Sequence, residues 1–109
     1  MTNHPLIAIV TGASRGIGRA TALLLAKHGY QICVNYNKNQ AAAIEVVNSI
    51  KHSGGHAIAI QADISDETQV MKMFGQVDNQ LGKLTALVNN AGILFTQSSI
   101  ENLTAERIN

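Results

Sequence analysis

The stretch that decides the fold is Thr11-Gly12-Ala13-Ser14-Arg15-Gly16-Ile17-Gly18. It follows an apolar run, residues 6–10 (LIAIV), which predicts a buried parallel strand. It precedes residues 19–28, whose composition predicts a helix. A strand, a glycine-rich turn and a helix together favour a site for a phosphate-bearing nucleotide. The reason is that a helix N-terminus offers unpaired N–H groups and about half a positive charge.

Each glycine of this stretch has its own predicted role. Gly12 allows the sharp exit from the strand, Gly16 the close approach of the backbone to a pyrophosphate, and Gly18 the close packing of the helix on the sheet. The spacing is GxxxGxG rather than the GxGxxG of the standard dinucleotide fingerprint, and such a triplet in an isolated loop is an ordinary turn. The flanking strand and helix are what favour the nucleotide interpretation.

A second motif occupies residues 84–92 (LTALVNNAG), where an apolar strand over residues 84–90 ends in two amides, a small residue and a glycine. Taken alone, this is a strand followed by an Asn-Gly-type turn. In open parallel sheets, however, ligands bind beyond the carboxyl ends of the strands. The two glycine-rich motifs are therefore predicted to lie at the same edge of one sheet.

The rest of the chain repeats the order strand, then helix. Further strands are predicted over residues 31–35 and 57–61, and helices over residues 40–52 and from Ser65 or Asp66 onward. This alternation predicts an α/β fold, a Rossmann-type doubly wound parallel sheet of order 3-2-1-4, truncated after the fourth strand, with one domain over residues 1–109. The faces predicted to be buried are Ala20, Leu23, Leu24 and the Lys27 stem in the first helix, Ala43, Val46, Val47 and Ile50 in the second, and Val70, Phe74, Val77 and Leu81 in the third.

Three motifs resemble, in order and spacing, those of the short-chain dehydrogenase/reductase family. They are TGASRGIG at residues 11–18, Asp63-Ile64 after the third strand, and NNAG at residues 89–92. The resemblance implies an NAD(P)(H)-dependent oxidoreductase that acts on a small-molecule carbonyl or alcohol substrate and is a homo-oligomer in its full-length form. The family's catalytic Asn, Ser, Tyr and Lys, the last two as YxxxK, lie downstream of the matching region. We therefore expect the coenzyme-binding half alone, with no catalytic residue and no hydride transfer by these 109 residues.

The resemblance also implies which residues bind the coenzyme. Gly12, Ser14, Arg15, Gly16, Ile17 and Gly18 would surround the phosphates; Asn35, Tyr36 and Asn37 the adenosine ribose; Asp63 and Ile64 the adenine; and Asn89, Ala91 and Gly92 the nicotinamide side. Asn89 would also tie neighbouring strands together. For Asp63 a second interpretation stays open, that of a cap for the next helix.

The charge pattern predicts the choice of coenzyme. An NAD-selective site usually has a carboxylate after the second strand, where it binds the ribose hydroxyls. Here no acid precedes Glu45, so Arg15 and Lys38 could pair with a 2′-phosphate. We expect a preference for NADP(H), with NAD(H) possible.

Composition limits the other functions. Four basic residues before Glu45 are scattered rather than clustered, which argues against nucleic acid as a partner. No apolar run approaches the length of a membrane span, and a single cysteine, Cys33, favours the cytoplasm. Ser53-Gly54-Gly55 separates His52 from His56, so we expect no metal site.

The alternative to a part of an oxidoreductase is a non-catalytic nucleotide-binding module or a degenerate fragment. The apolar fourth strand would lack a neighbour, which predicts self-association.

Overall fold

Four strands and three helices alternate along residues 5–90, the part of the chain that this computed structural model describes. The elements are β1 (Leu6–Thr11), α1 (Gly16–Lys27), β2 (Tyr30–Tyr36), α2 (Gln40–His52), β3 (Ala57–Gln61), α3 (Glu67–Gln80) and β4 (Ala86–Asn89). All strand pairs are parallel, in the order β3-β2-β1-β4. The predicted Rossmann-type order is therefore confirmed, and β3 and β4 form the two edges of the described sheet.

The centre of the sheet is β1, which pairs with β2 on one side and β4 on the other. Its side chains alternate between the two faces, as they must in any strand. Ala8 and Val10 pack in a core with residues of α1 and α2, whereas Ile7 and Ile9 pack in a second core with residues of α3. Helices therefore cover both faces, which explains why β1 is apolar throughout.

The predicted faces of α2 and α3 are confirmed. α2 buries Ala43, Val46, Val47 and Ile50, and α3 buries Val70, Phe74 and Val77, together with Met73. The predicted Leu81 is the C-cap of α3 and is half-buried against the same core. α3 begins at the second of the two predicted caps, because the Asp66 carboxylate accepts hydrogen bonds from the N–H groups of Thr68 and Gln69. These two helices follow the apolar periodicity of the sequence.

The predicted face of α1 is wrong for Ala20, Leu24 and Lys27, which are exposed, whereas Leu23 packs against the core as predicted. The fully buried residues of this helix are Gly18 and Ala22, and Leu24 is 57% exposed. A Cβ atom at Gly18 would collide with the carbonyl oxygen of Gly12. Because α1 lies so close to the turn that precedes it, small residues form its inner face and two of its larger apolar residues point elsewhere.

Candidate functional site

The glycine turn between β1 and α1 has a backbone that requires glycine at two places. Gly12 has φ 60° and Gly16 has φ 61°, both in the left-handed region. A Cβ atom added at Gly16 would meet no atom within 4 Å, so the space above it is open. The turn is also anchored to the sheet, because the Ala13 N–H donates a 3.0 Å hydrogen bond to the carbonyl of Asn35 in β2. The result is a fixed turn with room beside its backbone.

The N-terminus of α1 differs from those of the other two described helices. Asn39 caps α2 and Asp66 caps α3 with side-chain hydrogen bonds, whereas Arg15 at the start of α1 makes none. The first turn of α1 also contains no acidic residue. Since the partial positive charge of this end is not offset by a side chain, an anionic group can take that place.

The side chains of this turn are open to a ligand in different degrees. Ser14 is half-buried, Arg15 is exposed, and Ile17 is 77% exposed. Most of the Ile17 side chain is therefore open to solvent. All three side chains lie around the uncapped start of α1 and are at least partly exposed to solvent there.

The described part of the second motif, residues 84–90, lies beside the first motif, as predicted. Thr11 and Asn89 are paired in the register of β1 and β4, at the carboxyl ends of both strands. The Thr11 hydroxyl donates to Asn89 Oδ1 at 3.0 Å, and the Asn90 N–H donates to the same hydroxyl at 2.9 Å. Asn89 thus ties the two strands together, and Thr11, which the sequence analysis did not single out, is its partner.

The prediction that the Asn35 side chain lies at the adenosine ribose is corrected by the structure, because Asn35 is only 2% exposed. Its amide Nδ2 donates to the carbonyl oxygens of Ile60 at 3.3 Å and Ala62 at 3.2 Å. The alternation along β2 directs the side chain toward the core that contains Cys33, away from solvent. Asn35 is therefore a buried connection between β2 and the end of β3.

The next two residues of the predicted ribose site differ from each other. Tyr36 is 9% exposed and packs in the core between the sheet, α1 and α2, so most of its ring is unavailable to a ligand. Asn37 is exposed, and its backbone carbonyl accepts a hydrogen bond from Gln61 Nε2 at 3.1 Å. Asn37 is thus the residue of this group that the structure presents to solvent.

Asp63 holds the loop after β3 and does not cap α3. Its carboxylate accepts hydrogen bonds from the Ser65 hydroxyl at 2.7 Å and the Ser65 N–H at 3.0 Å. These bonds, with a smaller contribution from the Lys38 charge, lower the pKa of Asp63. The capping alternative is therefore wrong, since Asp66 has that role. Ile64, its neighbour, is half-buried against the core on the α3 face.

The remaining observations concern Ala91 and Gly92, metal binding, Cys33 and the length of the helices. Ala91 and Gly92 lie outside the described residues. Within residues 5–90 there is no group of His, Cys, Asp or Glu side chains that could hold a metal ion. Burial raises the pKa of the Cys33 thiol to about 12, so it is an inert core residue. None of the described helices is long and apolar enough to cross a membrane.

The chain is similar to known proteins along most of its length. The short chain dehydrogenase model matches residues 6–109. The uncharacterized oxidoreductase YgfF of Escherichia coli is 65% identical over 103 residues, which cover 94% of this chain and 42% of that protein. The 3-oxoacyl-[acyl-carrier-protein] reductase FabG of Staphylococcus aureus is 51% identical over 86 residues, which cover 79% of this chain and 35% of that protein.

Solved structures give the same result. A blue fluorescent protein from a metagenomic library, in complex with NADPH, matches with a TM-score of 0.77 and 41% identity over 83% of this chain and 37% of its own. Acetoin dehydrogenase from Enterobacter cloacae matches with a TM-score of 0.76 and 33% identity over 86% of this chain and 37% of its own. The chain spans about two fifths of the length of these relatives.

Proposed function

The chain belongs to the short chain dehydrogenase family, and we propose that it is the coenzyme-binding part of an oxidoreductase. The proposed reaction is hydride transfer between a nicotinamide coenzyme and a carbonyl or alcohol substrate. The names of the relatives support this, since they are oxidoreductases, reductases and dehydrogenases. Because the chain spans about two fifths of their length, the reaction is proposed for the protein of which this chain is a part.

The observation that carries the proposal is the uncapped start of α1 beside the open backbone of Gly16. The pyrophosphate would lie there, next to the backbone of the turn, with Ser14 and Arg15 able to donate hydrogen bonds to it. Gly18 contributes indirectly, since its lack of a side chain lets α1 approach Gly12. These residues bind and orient the coenzyme without taking part in the chemistry.

The two ends of the coenzyme would extend to either side of this turn. On the β3 side, Asp63 would accept a hydrogen bond from the adenine amino group, with Ile64 against the base. On the β4 side, Asn89 would lie near the nicotinamide together with Ala91 and Gly92. The hydrogen bond between Thr11 and Asn89 supports this arrangement, because it fixes the β4 end beside the turn.

We propose NADP(H) as the preferred coenzyme. The support is the charge around the end of β2, where Asn37 and Lys38 are exposed and the sequence contains no acid before Glu45. A 2′-phosphate would meet no carboxylate from β1, α1 or β2, and Arg15 could pair with it. The NADPH bound in a solved relative that is 41% identical is consistent with this choice.

A bound nicotinamide coenzyme supplies the hydride, but carbonyl reduction also needs a proton donor near the reacting oxygen. Neither tyrosine of the described chain is suited to that role. Tyr30 begins β2, at the edge of the sheet opposite to the glycine turn, and Tyr36 is 9% exposed. We therefore propose that the proton donor is supplied from outside residues 5–90, and that the part described here binds and positions the coenzyme.

The test is a calorimetric titration of the chain with NADPH and, separately, with NADH. We expect both coenzymes to bind saturably at one site per chain, with a lower Kd for NADPH than for NADH. Binding of neither coenzyme would contradict the proposed function. Tighter binding of NADH would contradict the proposed preference alone.

A further inference from the structure

Asn35 connects two segments that flank the proposed coenzyme site. Its backbone carbonyl accepts a 3.0 Å hydrogen bond from the N–H of Ala13, in the glycine turn. Its side-chain amide donates to Ile60 and Ala62, at the point where the chain leaves β3 toward Asp63. A single residue therefore contacts both the turn after β1 and the exit from β3.

The polar side chain is unusual for its position. Asn35 lies on the same face of β2 as Cys33, in a core that also contains Ile60 and Ala62. Burying an amide costs free energy unless its hydrogen bonds are made, and an apolar residue of similar size would avoid that cost. The backbone pairing of β2 with β3 already extends to Tyr36, so the sheet itself does not need these two extra bonds.

The two bonds from the Asn35 amide add to the backbone bonds that hold the exit from β3. Ala62 lies just beyond the end of β3, where regular pairing stops. Its N–H donates to the Tyr36 carbonyl at 3.0 Å, and its own carbonyl accepts from the Asn35 amide. The N–H and the carbonyl of Ala62 are therefore both hydrogen-bonded to β2, which fixes the position of the next residue, Asp63.

We propose that Asn35 is a positioning residue for the coenzyme, which it does not touch. It fixes the separation between the glycine turn, where the pyrophosphate would lie, and Asp63-Ile64, where the adenine would lie. This inference rests on the proposed function. A ligand that must reach both places binds more tightly when their separation is set before it arrives, because less conformational freedom is lost on binding.

The test compares two variants with a matched control. Asn35→Leu and Asn35→Asp both keep the approximate size of the side chain and remove its two N–H donors. Thr85→Val is the control, because Thr85 Oγ1 accepts a 3.0 Å hydrogen bond from the Ile7 N–H. This bond lies where β1 and β4 begin, at the end of the sheet away from the glycine turn. The control substitution weakens the sheet without touching the proposed site.

Two measurements are made on each variant. The first is the Kd for NADPH, corrected to the folded fraction that thermal unfolding gives. The second is the hydrogen exchange rate of the Ala13 and Ala62 amides, measured by NMR relative to the slowest amides of the sheet. The second measurement does not depend on any coenzyme, and either Asn35 variant suffices if the other does not fold.

We expect at least a tenfold higher Kd in the Asn35 variants, together with faster exchange at Ala62. Exchange at Ala13 should stay as in the unaltered chain, because its acceptor is the backbone carbonyl of residue 35, which the variants keep. Thr85→Val should lose stability while its Kd and these two exchange rates stay as in the unaltered chain. An unchanged Kd in a folded Asn35 variant, with the unaltered chain binding NADPH, would overturn this inference and leave the proposed function standing. Failure of the unaltered chain to bind NADPH would overturn both.

Discussion

The Thr11 hydroxyl lies 3.0 Å from the side-chain oxygen of Asn89 and donates a hydrogen bond to it across β1 and β4. The pair joins the residue before the glycine turn to the first amide of the second motif. Thr11 is buried and Asn89 is exposed, so the contact lies at the boundary between the core and solvent. Together with the bond from the Asn90 N–H to the same hydroxyl, it links two motifs that are far apart in the sequence.

Thr11→Val should lower the free energy of unfolding by about 1–2 kcal/mol. The substitution keeps the branched shape but leaves the Asn90 N–H without its acceptor. Urea unfolding measures the change. Thr21→Val is the matched control, because the Thr21 hydroxyl donates only to the Ile17 carbonyl on an exposed turn of α1. A loss no larger than in Thr21→Val would show that the contact contributes nothing.

Arg15→Ala should weaken NADPH binding about ten- to a hundredfold and leave NADH binding nearly unchanged. The reason is that the guanidinium would pair with the 2′-phosphate, which NADH lacks. Lys27→Ala removes the same charge from the last turn of α1, at the far end of the helix. Calorimetry on both variants separates a local contact from a general effect of net charge. Equal weakening of both coenzymes by Arg15→Ala would contradict the proposed preference.

Asp63→Ala should weaken NADPH and NADH alike, by roughly tenfold, because both carry the same adenine. Calorimetry on the folded variant gives the two affinities. Weakening of one coenzyme only would place Asp63 at the ribose instead of the base. Unchanged affinity for both would show that Asp63 serves the loop alone, through its bonds to Ser65.

The stability of the same variant should depend on pH in a defined direction. Hydrogen bonds from Ser65 lower the pKa of Asp63 in the folded chain. The stabilisation is therefore present above the pKa of the unfolded carboxyl and is lost as the pH falls through the lower folded pKa. The difference in stability between the unaltered chain and Asp63→Ala should shrink in acid. A difference that grew in acid would contradict the assigned contacts.

Gly75→Ala should raise the free energy of unfolding by about 0.5–1 kcal/mol. Gly75 lies inside α3, and a Cβ atom there would meet nothing within 4 Å. Gly18→Ala is the contrasting variant, since its Cβ would collide with the Gly12 carbonyl, and it should destabilise the chain. Thermal unfolding of the pair tests whether the two glycines differ as the structure indicates. Destabilisation by Gly75→Ala would contradict the open space around it.

The topology could be predicted from the sequence because apolar runs and glycine turns repeat in a regular order. The sheet order 3-2-1-4 and the buried faces of α2 and α3 are confirmed. The face of α1 could not be predicted from apolar periodicity, because the distance between that helix and its own turn selects Gly18 and Ala22.

The candidate site was harder to predict in detail. The glycine turn and Asn89 lie where the motifs indicate, but the ribose role of Asn35 came from the family resemblance, for a residue at the end of the predicted second strand. Whether a side chain near a strand end faces solvent or core depends on the alternation along β2, which directs Asn35 inward toward Ile60 and Ala62. Thr11 gave only a weak signal, as a hydroxyl residue directly before the first glycine of the turn.

One pair of charge substitutions gives the sharpest test of the proposal that the uncapped N-terminus of α1 binds the coenzyme phosphates. Ile17→Glu places a carboxylate at that helix end, where it favours the helix but repels phosphate. Ala20→Glu places the same charge one turn further along, on an exposed position. The account predicts that Ile17→Glu keeps or raises the Tm and weakens NADPH binding at least tenfold, while Ala20→Glu binds nearly as the unaltered chain does. NADPH binding by Ile17→Glu that is as tight as in the unaltered chain would contradict it.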